Sequence, residues 1–313
     1  MQTILGAGGA IGVELAKALP SYTDEKIRLV SRSNKASLAE NEEWKPTDLT
    51  NKAQVMQAVE GSSVVYLTAG LPYSAKVWQE QWPLVMRNTI DACKAHGARL
   101  VFFDNIYMYD GSNLNPITED LHINPPSKKG AVRAQIARML MEAVEKGEVE
   151  ALIARAADFY GPAIQKTSVL TETVIIPLSQ QKTANWMGDS EKMHSFTYTP
   201  DAGRATALLG NSPEAYGDVW HLPTAPHPPT GRQWVEAFAR ELGVPPKFRS
   251  VGKTMVRMMG LFVPIMRELV EMMYQNDRDY VFNSDKFEKK FNFSPTPYID
   301  GIRYIVQHDY KNG

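Results

Sequence analysis

Seven residues near the amino end constrain the fold more than any others: Gly6-Ala7-Gly8-Gly9-Ala10-Ile11-Gly12. Before them stands Thr3-Ile4-Leu5, an apolar run suited to a buried strand. After them comes a helical pattern in which Ile11, Leu15, Ala18 and Leu19 share one face and Pro20 stops the helix. Strand, glycine bend and helix in that order give the GxxGxxG spacing its meaning. Gly6 permits the tight turn. Gly9 lets backbone approach a pyrophosphate. Gly12 lets the helix pack close to the sheet, with its positive end toward the phosphates. Gly8, Ala10 and Ile11 complete the expected phosphate cradle.

The second strand, Lys26-Ile27-Arg28-Leu29-Val30, ends at Ser31-Arg32-Ser33, where a dinucleotide fold meets the adenosine ribose. An acidic residue there would bind the 2′-hydroxyl. Ser31 takes that slot instead, Arg32 follows and Lys35 is close behind. A guanidinium suits a 2′-phosphate, so NADP(H) is preferred and NAD(H) is the alternative. After a weakly marked third strand, Asp48-Leu49 falls where an adenine amino group can be met, and Asp48 or Thr50 can also cap the helix that starts near Asn51. Ser63-Val64-Val65-Tyr66-Leu67 is the fourth strand. It opens into Thr68-Ala69-Gly70, small residues that let a cofactor pass close to backbone.

Residues 76–96 read as a long helix carrying Asn88, followed by a fifth strand, Arg99 to Phe103, that runs into Asp104-Asn105-Ile106-Tyr107-Met108-Tyr109. A helix over 129–146 and a sixth strand, Glu150 to Arg155, follow, and then Asp158-Phe159-Tyr160-Gly161-Pro162. Strands alternating with helices predict an α/β fold with a doubly wound parallel sheet, a dinucleotide-binding Rossmann fold. After Pro162 the rhythm changes. Residues 168–193 look helical and then pair as short strands near Asn185 to Gly188. A strand over 195–199, a helix from Asp201 to Leu209, a strand over 219–223 and a helix from Gly231 to Leu242 capped by Thr230 come next. Pro264 should split the Met-rich stretch 253–274 into two helices, whose methionines fill a small core or line a cleft. The expected division is a dinucleotide-binding domain over 1–165, with 194–210 returning to it, and a smaller C-terminal α/β substrate-binding region over 166–313.

The balance of 34 Lys and Arg against 35 Asp and Glu, a formal net charge of −1, gives no electrostatic footprint for nucleic acid or for a membrane. The single cysteine, Cys93, excludes an intrachain disulfide and Cys-rich metal sites, and the six histidines show no metal-ligand spacing, so no metal is expected. No signal peptide or spanning segment is read, which points to the cytoplasm. The expected partner is a small-molecule substrate, and the chain is a monomer or a homodimer.

The order of these pieces resembles the short-chain dehydrogenase/reductase superfamily, above all its extended branch of nucleotide-sugar epimerases and dehydratases. The resemblance rests on Gly6, Gly9 and Gly12, on Asp48-Leu49, Thr68-Ala69-Gly70 and Asn88, on the strand leading to Tyr109, on Tyr160-Gly161-Pro162, and on Asp201 before Arg204. It implies that Tyr160 packs beside the nicotinamide. The catalytic positions depart from the pattern. The family places Ser or Thr four residues before the tyrosine matched to Tyr109, where this chain has Asn105. The family's YxxxK falls on Lys129-Gly130-Ala131-Val132-Arg133, with lysine in the tyrosine's place and arginine in the lysine's. The literal YxxxK from Tyr22 to Lys26 lies on the wrong part of the fold. This combination resembles the atypical subgroup with an incomplete tetrad.

In the family the tyrosine moves the carbonyl proton, the lysine supports it and holds the ribose, and the serine orients the carbonyl oxygen. Asn105 can still donate to that oxygen. Arg133 can hold ribose hydroxyls or a substrate anion but cannot serve as a neutral acid or base. Lys129 beside it and Tyr107 on the strand's carboxyl end are the rival proton donors, and a third reading is that nothing replaces the tyrosine. Asp158 is expected to pair with Arg155 or to cap its loop. These readings leave an NADPH-dependent reductase of a small carbonyl or sugar-like metabolite, with a nucleotide-sugar epimerase or dehydratase and a non-catalytic NADP(H) sensor as alternatives.

Overall fold

Strands buried on both faces are apolar or have their polar side chains paired; the fourth run is apolar throughout, and the first carries Gln2 and Thr3, whose side chains hydrogen-bond to Asn211 and Ser62. In the computed structural model, which describes residues 1–33, 37–164 and 166–311, each is buried at every position. In chain order the strands are β1 (Gln2–Leu5), β2 (Ile27–Ser31), β3 (Glu42–Pro46), β4 (Val64–Leu67), β5 (Arg99–Asp104), β6 (Ala151–Arg155), β7 (Asp158–Tyr160), β8 (Ala184–Met187), β9 (Phe196–Tyr198), β10 (Val219–His221) and β11 (Phe248–Val251). Among the described residues, seven of them form one parallel sheet in the order β3-β2-β1-β4-β5-β6-β10. This is a doubly wound Rossmann arrangement. Its order reverses between β1 and β4, and the crevice at their carboxyl ends is where such sheets take ligands.

The chain divides into two compact units. The first comprises Met1–Met108, Lys128–Ala156 and Ala202–Leu222 and holds the seven-stranded sheet. Its helices include α1 (Ala10–Ala18), α2 (Lys52–Val59), α3 (Ala75–His96) and α4 (Lys128–Glu145). One core under α3 and α4 gathers Leu67, Trp82, Met86, Ile90, Leu100, Phe102, Ile136 and Leu140. Helix α3 keeps its course through an internal Pro83 and ends on Gly97, which takes the left-handed conformation a helix stop needs. The cap of α2 is Asn51, whose side chain accepts the Gln54 N–H, and neither Asp48 nor Thr50 fills that role.

The second unit comprises Tyr109–Ser127, Ala157–Asp201 and Pro223–Gly313. Its core stacks Tyr160, Phe196, Tyr198, Trp234, Phe238 and Tyr298. Thr230 caps the helix Gly231–Leu242 in a reciprocal capping box with Gln233. The expected strand pair near 185–188 is instead β8 paired in parallel with the distant β11. The Met-rich stretch does split at Pro264, into Lys253–Met259 and Pro264–Leu269. The boundary expected near 165 lies earlier, because Tyr109 pairs with Ile123 and β7 pairs with β9, all within the second unit. The stretch that rejoins the first unit is Ala202–Leu222, later than 194–210. No helix among the described residues is long and apolar enough to cross a membrane.

Candidate nucleotide-binding and active site

The bend after β1 is glycine by necessity at its ends. Gly6 has φ +104°, and a Cβ there would stand 2.4 Å from the Ala69 Cα and 2.9 Å from the Thr68 carbonyl carbon. Only glycine adopts that backbone freely, and only glycine lets the loop after β4 lie this close. A Cβ on Gly12 would reach the Gly6 oxygen at 2.5 Å, so α1 can begin directly behind the turn only without a side chain there. The middle of the bend is different. Gly8 and Gly9 are exposed, and a Cβ on either would meet nothing nearer than 3.9 and 3.5 Å. The first N–H groups of α1, at Ala10 and beyond, lack intrahelical acceptors, and no acidic residue sits in that first turn. Open backbone beside a helix N-terminus fits a pyrophosphate. Ile11 contributes only its backbone, since its side chain is buried. Thr68 is buried against Leu5 and Gly6, while Gly70 faces open space.

At the end of β2, the Ser31 hydroxyl donates to the Ser33 carbonyl at 2.6 Å and accepts the Trp44 indole N–H at 3.1 Å. That fixes the turn and leaves Arg32 exposed beside it. Lys35 lies outside the described residues. Asp48 Oδ1 accepts the Thr50 backbone N–H at 2.9 Å and its hydroxyl at 2.8 Å. Those bonds, helped by the Arg32 charge, hold the Asp48 carboxyl below its ordinary range. Asn88, buried in α3, donates to the Leu49 carbonyl at 3.0 Å, so it holds the Asp48-Leu49 turn from behind.

The carboxyl end of β5 gathers the residues expected to do chemistry. Asp104 is the anchor, and sequence reasoning passed over it. Its Oδ1 accepts the Asn105 backbone N–H at 2.8 Å and Arg133 Nε at 2.7 Å, and its Oδ2 accepts Arg155 Nε at 3.2 Å. Arg155 therefore pairs with Asp104, and Asp158 accepts or shares a hydrogen bond with His194 Nε2 at 3.1 Å. Arg133 turns its guanidinium inward. Its guanidinium lies 4.6 Å from the Trp82 ring centroid and 4.9 Å from that of Phe102, nearly closed to water. Aromatic faces and a buried carboxylate satisfy the charge that was expected to meet a ligand. Lys129 is fully buried, its ammonium 4.6 Å above the Tyr73 ring.

Asn105 and Tyr107 remain at the surface of this anchor, each partly exposed. Asn105 Oδ1 accepts the Tyr107 backbone N–H at 3.1 Å. This ties the amide oxygen to its own turn, and its NH₂ makes no hydrogen bond among the described residues. The Tyr107 ring stacks on Trp78 at 14° between planes. Tyr160 differs from expectation. It is wholly buried within the second unit against Tyr198, Trp234 and Tyr298, and a Cβ on Gly301 would stand 2.6 Å from its hydroxyl. Its side chain offers no surface to a cofactor. A buried acid at the end of an apolar strand was the available signal for Asp104, since such a group needs partners.

The model of a protein family described as the NAD dependent epimerase/dehydratase family matches residues 3–221. No curated protein matches the chain. Three solved structures share the fold. A double mutant of the dTDP-glucose 4,6-dehydratase DesIV from Streptomyces venezuelae, with NAD and DAU bound, is 16% identical, with TM-score 0.80 over 100% of this chain and 97% of that one. The UDP-glucose 4-epimerase of Thermus thermophilus in complex with NAD is 16% identical, with TM-score 0.79 over 98% of each chain. The epimerase Mth375 of Methanothermobacter thermautotrophicus is 14% identical, with TM-score 0.82 over 99% of this chain and 92% of that one.

Proposed function

We propose that this chain, which belongs to the NAD dependent epimerase/dehydratase family, is an oxidoreductase that uses NADPH to reduce a small carbonyl or sugar-like substrate. Solved relatives that hold NAD support a nicotinamide dinucleotide. Exposed Arg32 in place of a ribose-binding acid supports the 2′-phosphate. Gly8, Gly9 and the amino end of α1 hold the pyrophosphate. The Asp48-Leu49 turn, pinned by Asn88, borders the adenosine.

The observation that carries the reading is the pairing of Asn105 with Tyr107. The backbone N–H of Tyr107 occupies the amide oxygen of Asn105. The amide nitrogen is thereby presented as a donor, beside a phenol on the same turn. A dihydronicotinamide held in this cradle would supply the hydride. Asn105 Nδ2 donates to the substrate carbonyl oxygen and stabilises the charge that grows on it. The Tyr107 hydroxyl gives that oxygen its proton, and the partly exposed ring regains one from water. Lys129, sealed over Tyr73, and Arg133, tied to Asp104, serve as supports for this turn.

A second reading, a nucleotide-sugar epimerase or dehydratase, is favoured by the substrates of the solved relatives. It ranks lower because the position of the family's tyrosine carries a buried lysine. The test is NADPH oxidation against a panel of aldehydes, ketones, quinones and keto-sugars, with Tyr107→Phe alongside. Sustained turnover that falls by about 10²-fold or more in Tyr107→Phe is the expected result. Tight NADPH binding with no turnover on any substrate would instead assign a cofactor sensor.

A further inference from the structure

The densest exposed apolar surface on the chain lies far in sequence from the nucleotide cradle. Among the described residues, seven of the thirteen large apolar side chains that are exposed fall between Met255 and Ile265. They crown a helical hairpin made of Lys253–Met259 and Pro264–Leu269. Leu261 and Phe262 at its tip are 72% and 87% exposed. The hairpin is rooted all the same. Val256 is fully buried with Met187, Val251 and Met273, and Met266 packs on that cluster. Arg267 donates twice to the Gly260 carbonyl, at 3.3 and 3.2 Å, and so braces the turn beneath the tip. A rigid mount that holds Leu and Phe out into water is a surface that awaits a partner.

Charge identifies the partner. The hairpin from Lys253 to Leu269 carries Lys253, Arg257 and Arg267 against the one acid Glu268, and Lys247 and Arg249 precede it. The overall charge of −1 conceals this local excess. Apolar side chains at a tip with cations around them match the boundary between acyl chains and anionic headgroups. A second copy of the chain fits less well, because a two-fold contact through the tip would set Lys253 and Arg257 of each copy against their own kind.

We propose that this hairpin docks the second unit peripherally on an anionic phospholipid surface, with Leu261 and Phe262 entering the acyl boundary and Lys253, Arg257 and Arg267 meeting the headgroups. The contact is a surface one and needs no spanning helix.

The test is co-sedimentation of the full chain with phosphatidylcholine vesicles, with and without phosphatidylglycerol. Binding is expected only with phosphatidylglycerol and should weaken as salt rises. K253Q/R257Q should weaken it roughly thirtyfold, at about fivefold per cation near the surface. L261E/F262E should abolish it, with far-UV circular dichroism and the thermal midpoint unchanged. F262W should show a blue-shifted emission quenched by brominated lipid. Absence of binding to anionic vesicles, or binding by either double variant as tight as that of the wild type, would overturn the proposal. So would a dimer in sedimentation equilibrium that F262E dissociates and that ignores vesicles, which would give the face to a second copy.

Discussion

Arg133 Nε donates to Asp104 Oδ1 at 2.7 Å, with 5% and 0% of the two side chains exposed. Arg155 reaches the other oxygen of the same carboxylate. Two buried guanidinium groups thus share one buried acid, and the acid also holds the Asn105 N–H. Removing the acid leaves buried cations without that partner, which costs about 3–5 kcal/mol. Removing Arg133 leaves Asp104 still paired with Arg155. Asp104→Ala should therefore lose about 3 kcal/mol or more in urea denaturation, and Arg133→Met less than half as much. Equal losses would show that the carboxylate is not the hub.

The two kinds of glycine in the bend should separate stability from binding. Gly6→Ala forces a side chain into the left-handed region and against the Thr68-Ala69 backbone. A loss of about 2 kcal/mol or more is expected, visible as a lowered thermal midpoint. Gly9→Ala meets its nearest atom at 3.5 Å and should fold as well as the wild type. Its methyl group would occupy the open face of the bend, so NADPH titration by fluorescence should show binding at least tenfold weaker, by roughly 1.4 kcal/mol.

The sheet was legible because a parallel strand covered on both faces leaves an unbroken apolar run, as at Val64 to Leu67. Strand β3 was faint because it is the sheet's edge and only half-buried. The pairing of β8 with β11 was not legible at all, since its partners stand some sixty residues apart and nothing local encodes the match. The glycine cradle could be read residue by residue, because backbone clashes are local and leave glycine as their mark. Arg133 could not. Helical spacing put it on the same face as Lys129, yet whether that face met a ribose or the core depended on Asp104, Trp82 and Phe102, which the chain delivers from other elements. Tyr160 failed for the same reason, its surroundings coming from Trp234 and Tyr298.

Cofactor choice should rest on Arg32. The side chain is exposed at the end of β2, while Ser31 is tied to Ser33 and Trp44. Arg32→Ala should weaken NADPH binding by about tenfold or more and leave NADH within about twofold, as a lost charge-assisted contact to the 2′-phosphate requires. Calorimetric titration of both dinucleotides checks this, and equal losses would remove the 2′-phosphate assignment.

Asp48 should give the same turn a dependence on pH. Its carboxyl is held below the ordinary range first by the Thr50 backbone N–H, then by the Thr50 hydroxyl, and least by the Arg32 charge, against an opposing effect of burial. A depressed folded-state pKa means that the charged form is stabilised by folding. The contribution is full above the unfolded carboxylate pKa and disappears as pH falls through the lower, folded value. The group is mostly exposed, so the effect is small and screened by salt. The stability gap between the wild type and Asp48→Asn should thus be constant near neutrality and narrow as the solution becomes acidic. Arg32→Ala should raise the Asp48 titration midpoint, read by NMR of the carboxyl carbon, because one of the charges that depresses it is gone. If the Asp48 midpoint does not move in Arg32→Ala, the two side chains do not sense each other, and the ends of β2 and β3 are not electrostatically continuous.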